Sequence, residues 1–199
     1  MNILLYGSKG QVGYELKRQI EPNLPVFNSN LHCSNIDITN FDELILEIRT
    51  IKPDVILNAA AYTNVEACED PIEFEKAKLI NGIAPGIMGK YAGNATVIHY
   101  STDYVFSDTK KTPYMSFDQT FEPFNNYGKT KLMGEKSLKN ETENYIILRT
   151  SWVYSERRKN FLKTFLRLIA EKKDKQITVI ADQKGTPTSA NEIARQTIK

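Results

Sequence analysis

A doubly wound α/β fold, with one parallel sheet and helices on both faces, is predicted by three features of the chain. Short apolar runs alternate with stretches of helical periodicity from end to end. A glycine-rich turn, GSKGQVG, directly follows the first of those runs. The 199 residues, 41% hydrophobic and 25% charged, have ordinary globular composition and suffice for one substantial core, so one domain is expected.

Taken in order, Asn2 to Tyr6 is an apolar run ending at Gly7, and Val12, Leu16 and Ile20 then recur every four residues, which predicts strand, glycine turn and helix. Leu24–Phe27 reads as a short second strand before the polar stretch 28–39. Phe41, Leu44, Ile45 and Ile48 fall at helical spacing, with Asn40 and Glu43 as a capping pair, and Pro53 stops that helix. Residues 54–58 form a buried strand. Asp70-Pro71 opens the next helix with Glu73 three residues after the cap. Its continuation carries Gly82, Pro85, Gly86 and Gly89, and an interior proline costs about 3 kcal/mol, so a break or kink is expected near Pro85.

A strand over 95–100, a helix over 127–138, a strand over 145–148, a helix over 161–170 and a strand over 177–181 complete the alternation. Right-handed crossovers between parallel strands place the functional loops at the strands' carboxyl ends. Ser189 and Glu192 read as a capping box for an amphipathic helix through Ile193, Ala194, Thr197 and Ile198. No stop signal follows before Lys199, so the sequence reads as cut within or just after that helix.

Lys plus Arg number 26 and Asp plus Glu 24, giving a formal charge of +2, which offers no nucleic acid or membrane surface a distinct field. The basic clusters Lys110-Lys111, Arg157-Arg158-Lys159 and Lys172-Lys173 read as solvated faces. Two cysteines and two histidines make neither a disulfide framework nor a metal site at recognisable spacing. The opening MNILLYG is a strand rather than a secretion signal, and no apolar run reaches membrane-spanning length, so a cytoplasmic protein is expected.

Gly7, Gly10 and Gly13 sit where a backbone must pass close to a pyrophosphate and helix-start amides must face it, which favours a dinucleotide over a merely tight turn. At the end of the expected second strand stand Phe27 and Asn28 rather than an acid that would bind the adenosine ribose, so NAD is not preferred over NADP. Asp37 and Ile38 are the expected adenine neighbours, although Asp37 equally suits a loop turn. Tyr127 and Lys131 lie one helical turn apart, where an ammonium stabilises a phenolate and brings its titration toward neutrality. Ser101, Thr102 and Asp103 follow a buried strand, at the expected crevice mouth.

With GSKGQVG, DVILNAAAYTNVEACE, HYSTDYVF, YGKTKLMGE, RTSWVY and DQKGTPTSA in this order, the chain resembles the extended short-chain dehydrogenase/reductase family along essentially its whole length. The resemblance implies a Rossmann-like NAD(P)-binding domain over 1–199, with 151–199 holding the start of the substrate-binding portion. It further implies reduction of dTDP-4-dehydro-L-rhamnose to dTDP-L-rhamnose with NADPH or NADH, for surface polysaccharide precursors. Tyr127 would be the proton donor, Lys131 its partner and a ribose ligand, and Thr102 the hydroxyl beside the sugar carbonyl. The cofactor would be lined by Gly7, Gly10, Gln11, Val12, Gly13, Asp37, Ile38, Ala61, Tyr62, Thr63 and Tyr100, as well as by Tyr127 and Lys131. Thr102, Asp103 and Trp152 would face the dTDP-sugar. Val65 and Glu66 fall in the substrate loop, with Glu66 where aspartate is usual. Relatives continue past the position of Lys199, and some form a homodimer or hold Mg at a subunit contact. Two other readings stay open: a redox-neutral sugar-nucleotide epimerase or dehydratase, and a non-catalytic dinucleotide-binding regulatory subunit.

Overall fold

Six strands run in one direction in the order β2-β1-β3-β4-β5-β6, each hydrogen-bonded to its neighbours in parallel. They are β1 (Asn2–Tyr6), β2 (Asn30–Cys33), β3 (Val55–Asn58), β4 (Thr96–Thr102), β5 (Tyr145–Tyr154) and β6 (Pro187–Ser189). The helices between them are α1 (Gln11–Ile20), α2 (Leu24–Phe27), α3 (Phe41–Ile51), α4 (Pro71–Ala77), α5 (Ala84–Tyr91), α6 (Asn126–Glu141), α7 (Phe161–Glu171) and α8 (Ala190–Ile198). This computed structural model describes residues 1–106, 110–171, 176–178 and 183–199.

Alternate strand residues feed two cores. Leu4, Tyr6, Ile56 and Val97 meet Leu44 and Ile48 of α3, Ala84 and Met88 of α5 and Leu138 of α6. Ile3, Leu5, Leu57, Ile98 and Tyr100 meet Leu16 and Ile20 of α1 and Ile193 and Ala194 of α8. Burial on both faces is why the central strands read as unbroken apolar runs, each Leu or Ile contributing roughly 1.5–3 kcal/mol. The expected caps form: Asn40 accepts from Glu43 N at 3.4 Å, and Asp70 Oδ1 accepts from the amides of Ile72 and Glu73 at 2.9 and 3.1 Å. No helix among the described residues is long and apolar enough to cross a membrane.

Several local expectations are corrected. Leu24–Phe27 is a helical turn with Pro25 in its first turn and Asn28 left-handed after it, and the second strand lies further on, at Asn30–Cys33. The residues at that strand's end are therefore Cys33 and Ser34, again not acidic. The irregularity expected near Pro85 lies just before it: α4 ends at Ala77, and α5 starts at Ala84 with Pro85 in its first turn. A π-helical segment, Lys78–Ile83, joins α4 to α5. Proline cannot donate to the carbonyl four residues back, and its ring needs room there. The wider π turn supplies that room, and Ala84 N reaches back to Leu79 O instead. The strand expected over 177–181 lies partly outside the described residues, and 177–178 carry no strand. Ser189 precedes α8 without a side-chain capping bond, and Glu192 pairs with Arg195 instead.

The π segment and α5 lie against α6 at very short range. A Cβ on Gly134 of α6 would fall 2.0 Å from Asn81 O, and one on Gly82 would fall 2.6 Å from Met133 Sδ. Gly134→Ala is therefore expected to cost roughly 1–3 kcal/mol in urea-induced unfolding through overpacking. Gly93, also strained for any other residue at φ +63° but facing open space, provides the comparison. Gly93→Ala is expected to cost about 1 kcal/mol from backbone strain alone. A smaller loss for Gly134→Ala than for Gly93→Ala would contradict the tight helix contact.

Candidate active site

The carboxyl ends of β1, β3, β4 and β5 share one edge of the sheet, and the chain changes direction across the sheet between β1 and β3. At that switch point Gly7 takes φ +76° and its carbonyl accepts from Gly10 N at 2.9 Å. A Cβ on Gly7 would lie 2.5 Å from Ala60 N, and one on Gly13 would lie 2.1 Å from Gly7 O. The turn is thus pressed against the exit of β3. The first-turn amides of Gln11, Val12 and Gly13, which have no carbonyl partner within α1, open at this edge.

A strap formed by residues 155–160, after β5, holds this turn. Gln11 Oε1 accepts from Ser155 Oγ at 2.8 Å and from Asn160 Nδ2 at 3.0 Å. Arg158 Nε donates to Lys9 O at 3.0 Å, and the Arg157 guanidinium lies 3.6 Å from the Tyr14 ring centre. Arg157 and Arg158 are therefore engaged, which corrects the reading of that cluster as merely solvated. Lys110 is likewise paired, with Asp118, while Lys172-Lys173 lie outside the described residues.

Thr102 ends β4, and Tyr127 begins the second residue of α6, whose start is capped by Asn125 Oδ1 accepting from Gly128 N at 2.6 Å. The structure brings them together. Burial, then the Asp103 carboxylate, pushes the Tyr127 phenol well above its ordinary range, and a hydrogen bond with Thr102 acts in the opposite sense. Tyr104 packs edge-on against the Tyr127 ring at 6.1 Å. Thr102 Oγ1 also donates to Asp103 Oδ1 at 3.2 Å, and burial raises the Asp103 carboxyl.

Lys131 is 1% exposed, and its ammonium is directed into the sheet. Nζ donates to Tyr100 O at 2.6 Å and lies 3.4 Å from His99 Nε2. The lowering of Tyr127 by Lys131 expected from the sequence is not expressed here, because the groups acting on the phenol are Asp103, Cys68, Tyr104 and Thr102. Tyr100 meets Lys131 through its backbone, while its hydroxyl contacts Thr197 Oγ1 on the other face at 3.0 Å.

The other expected residues divide by position. Tyr62 follows β3 and is clamped by Asn81, whose Oδ1 accepts from Tyr62 N and whose Nδ2 donates to Tyr62 O, both at 2.9 Å. The Tyr62 hydroxyl donates to Glu73 at 2.6 Å, and Ala61 and Thr63 beside it are exposed. Asp37 accepts from Thr39 N and Oγ1 at 2.9 and 2.8 Å, so its carboxylate closes a turn, and Ile38 is buried in the core. Trp152 sits at the irregularity between β5 and β6 with φ +47° and is 38% exposed, its ring 5.7 Å from that of Phe161. The indole is therefore not a core filler.

Four neighbours of the expected site residues escaped the sequence reading. His99 Nδ1 lies 3.0 Å from Asn58 Nδ2, and both side chains are 1% exposed. Glu135, one further turn along α6 from Lys131, accepts from Arg149 Nε and Nη2 at 2.9 and 2.7 Å and from Ser101 Oγ at 2.6 Å. A histidine and an arginine inside otherwise apolar strands, and a carboxylate four residues after Lys131, were the available signals.

The family model described as the RmlD substrate binding domain matches residues 1–199. The dTDP-4-dehydrorhamnose reductase of Escherichia coli (strain K12) is 45% identical over 200 residues, a match covering 98% of this chain and 64% of that protein. The chain therefore spans just under two thirds of that relative's length. Among solved structures, a dTDP-4-dehydrorhamnose reductase from Clostridium acetobutylicum superimposes with a TM-score of 0.88 at 36% identity, covering 100% of this chain and 69% of that one. The Bacillus anthracis dTDP-4-dehydrorhamnose reductase in complex with NADP does so at 0.87 and 32% identity, covering 99% and 69%.

Burial pulls Lys131 from its ordinary 10.5 down to about 8, against an opposing pull from Glu135. Between those values the unfolded chain holds a proton that the folded chain has lost, so stability rises with pH. Measured by urea unfolding, the parent chain is expected to gain on Lys131→Met by on the order of 1 kcal/mol per pH unit between about pH 8 and 10. Parallel pH profiles for the two chains would contradict this.

Proposed function

The chain belongs to the RmlD substrate binding domain family, and from that premise we propose that it reduces the C4 ketone of dTDP-4-dehydro-L-rhamnose to the hydroxyl of dTDP-L-rhamnose, with NADPH or NADH as reductant. The observation that carries this reading is Thr102, at the end of β4, meeting the Tyr127 phenol on the sheet edge that also bears the glycine turn, with Lys131 one turn along α6. A dinucleotide fits that turn on structural grounds, since side chains at Gly7 or Gly13 would collide with the backbone that forms it. Gln11, Val12 and Gly13 would hold the pyrophosphate with their amides, and Lys131 the nicotinamide ribose.

When bound, the reduced dinucleotide supplies the hydride. Thr102 and Tyr127 then meet the charge that develops on the C4 oxygen, Thr102 by hydrogen bonding and Tyr127 by giving up its phenolic proton. The upward push on Tyr127 keeps that proton in place at neutral pH, as a donor requires. Asp103 and Trp152 would orient the sugar nucleotide, and residues 151–199 would begin the substrate-binding portion. A cytoplasmic setting accords with Cys33 and Cys68, both free.

The test is oxidation of NADPH and NADH in the presence of the dTDP-keto sugar, followed by nicotinamide absorbance. In a chain extended to its relatives' length, Tyr127→Phe is expected to lower turnover at least ~100-fold while dinucleotide affinity stays within about 2-fold. Thr102→Val is expected to lower it on the order of 10–100-fold. Undiminished turnover by Tyr127→Phe would remove the phenol from the reaction.

A further inference from the structure

We propose, on the reading that Lys131 serves the reducing site, that His99 and Asn58 form a buried positioning pair behind it, whose imidazole changes tautomer according to whether the lysine carries its proton. The donors around the ring are mismatched. Both nitrogens of His99 face a nitrogen of another residue: Nδ1 faces Asn58 Nδ2 at 3.0 Å and Nε2 faces Lys131 Nζ at 3.4 Å. A neutral imidazole has one N–H and one lone pair, so it cannot accept from both neighbours. Asn58 Oδ1 meanwhile is buried without a hydrogen-bond partner among the described residues.

Two arrangements resolve the mismatch. In the first, Asn58 Nδ2 donates to Nδ1, His99 carries its hydrogen on Nε2, and Nε2 donates to the lone pair of an uncharged Lys131 amine. In the second, Lys131 is an ammonium and donates to Nε2. The ring then carries its hydrogen on Nδ1, and a half-turn of the Asn58 amide brings the orphaned Oδ1 round to accept it. Going from the second to the first, Nζ gives one proton to Nε2 and the ring gives its Nδ1 proton to solvent. One proton leaves, and the imidazole is neutral at both ends.

The surroundings favour a neutral ring throughout. Burial, then the Lys131 charge, holds His99 well below its ordinary range. Lys131 of α6 is the charged group acting on the ring, and Glu135 acts on Lys131 in turn while bound to Arg149 of β5 and Ser101 of β4. From β3 comes the neutral Asn58 amide, and in register on β5 stands Ile147. Asn81 of the π segment is neutral and engaged with Tyr62 and Thr130. His99 thus keeps the lysine tethered in either protonation state.

His99 shares the chain with one other histidine, His32. In the His32→Gln chain, ¹⁵N NMR of the ring is expected to show the Nδ1–H tautomer at pH 6–7 and the Nε2–H tautomer above about pH 9, with Lys131→Met abolishing the change. One tautomer at every pH with Lys131 present, or an imidazolium at pH 7, would overturn the pair. That measurement needs no substrate and is independent of the reductase reading. In turnover, His99→Leu is expected to move the alkaline limb of the kcat/KM profile down by about one pH unit, and His99→Gln, whose amide oxygen can accept from Nζ, to restore it in part. A uniform loss at all pH values would assign His99 a purely structural part. Turnover is read in a chain extended to its relatives' length, where its absence would count against the reductase reading and leave the NMR result to judge the pair.

Discussion

An amine placed under a sheet, away from water, governs the arrangement of this edge of the molecule. A buried charge without partners costs several kcal/mol, so acceptors have to be supplied from more than one element. Tyr100 O and His99 of β4 meet Lys131 directly, and Glu135, fixed by Arg149 and Ser101, balances it from one turn along α6. Those partners come within reach only if α6, β4 and β5 keep one register. The helix layer secures that register by close contact, since Gly134 and Gly82 have no side chains to hold α6 and the π segment apart. Asn81 then extends the arrangement to the loop after β3 through Tyr62 and Thr130.

The π segment shows how a local conflict becomes a structural joint. Pro85 would disrupt a regular helix, and the widened turn before it accommodates the ring while presenting Asn81 to two elements at once. The left-handed backbone of Trp152 belongs to a similar class: an irregularity in the pairing of β5 with β6 turns a large aromatic outward from what would otherwise be plain strand.

Much of the fold was legible because the central strands are buried on both faces and the helices carry stripes of apolar residues. The glycine turn was legible because its spacing is imposed by backbone collisions. The second strand was missed for the converse reason. Asn30–Cys33 lies at the sheet edge, is only partly buried, and has no apolar signature, whereas the four-residue apolar run before it is too short to separate strand from helix. In the site, Tyr127 and Lys131 were visible because a helix brings neighbours four residues apart onto one face. His99 with Asn58, 41 residues apart, and Gln11 with Asn160, 149 apart, meet only through the sheet's register and the path of the strap. No local pattern encodes such pairs.

That strap also bears on how the molecule comes into being. The glycine turn is synthesised well before its braces: Gln11 and Lys9 receive their partners from residues more than 140 positions later. Contacts so distant in sequence form slowly and late, because the intervening chain must be ordered first. During synthesis the glycine turn therefore waits, unbraced, until the residues after β5 have emerged and docked.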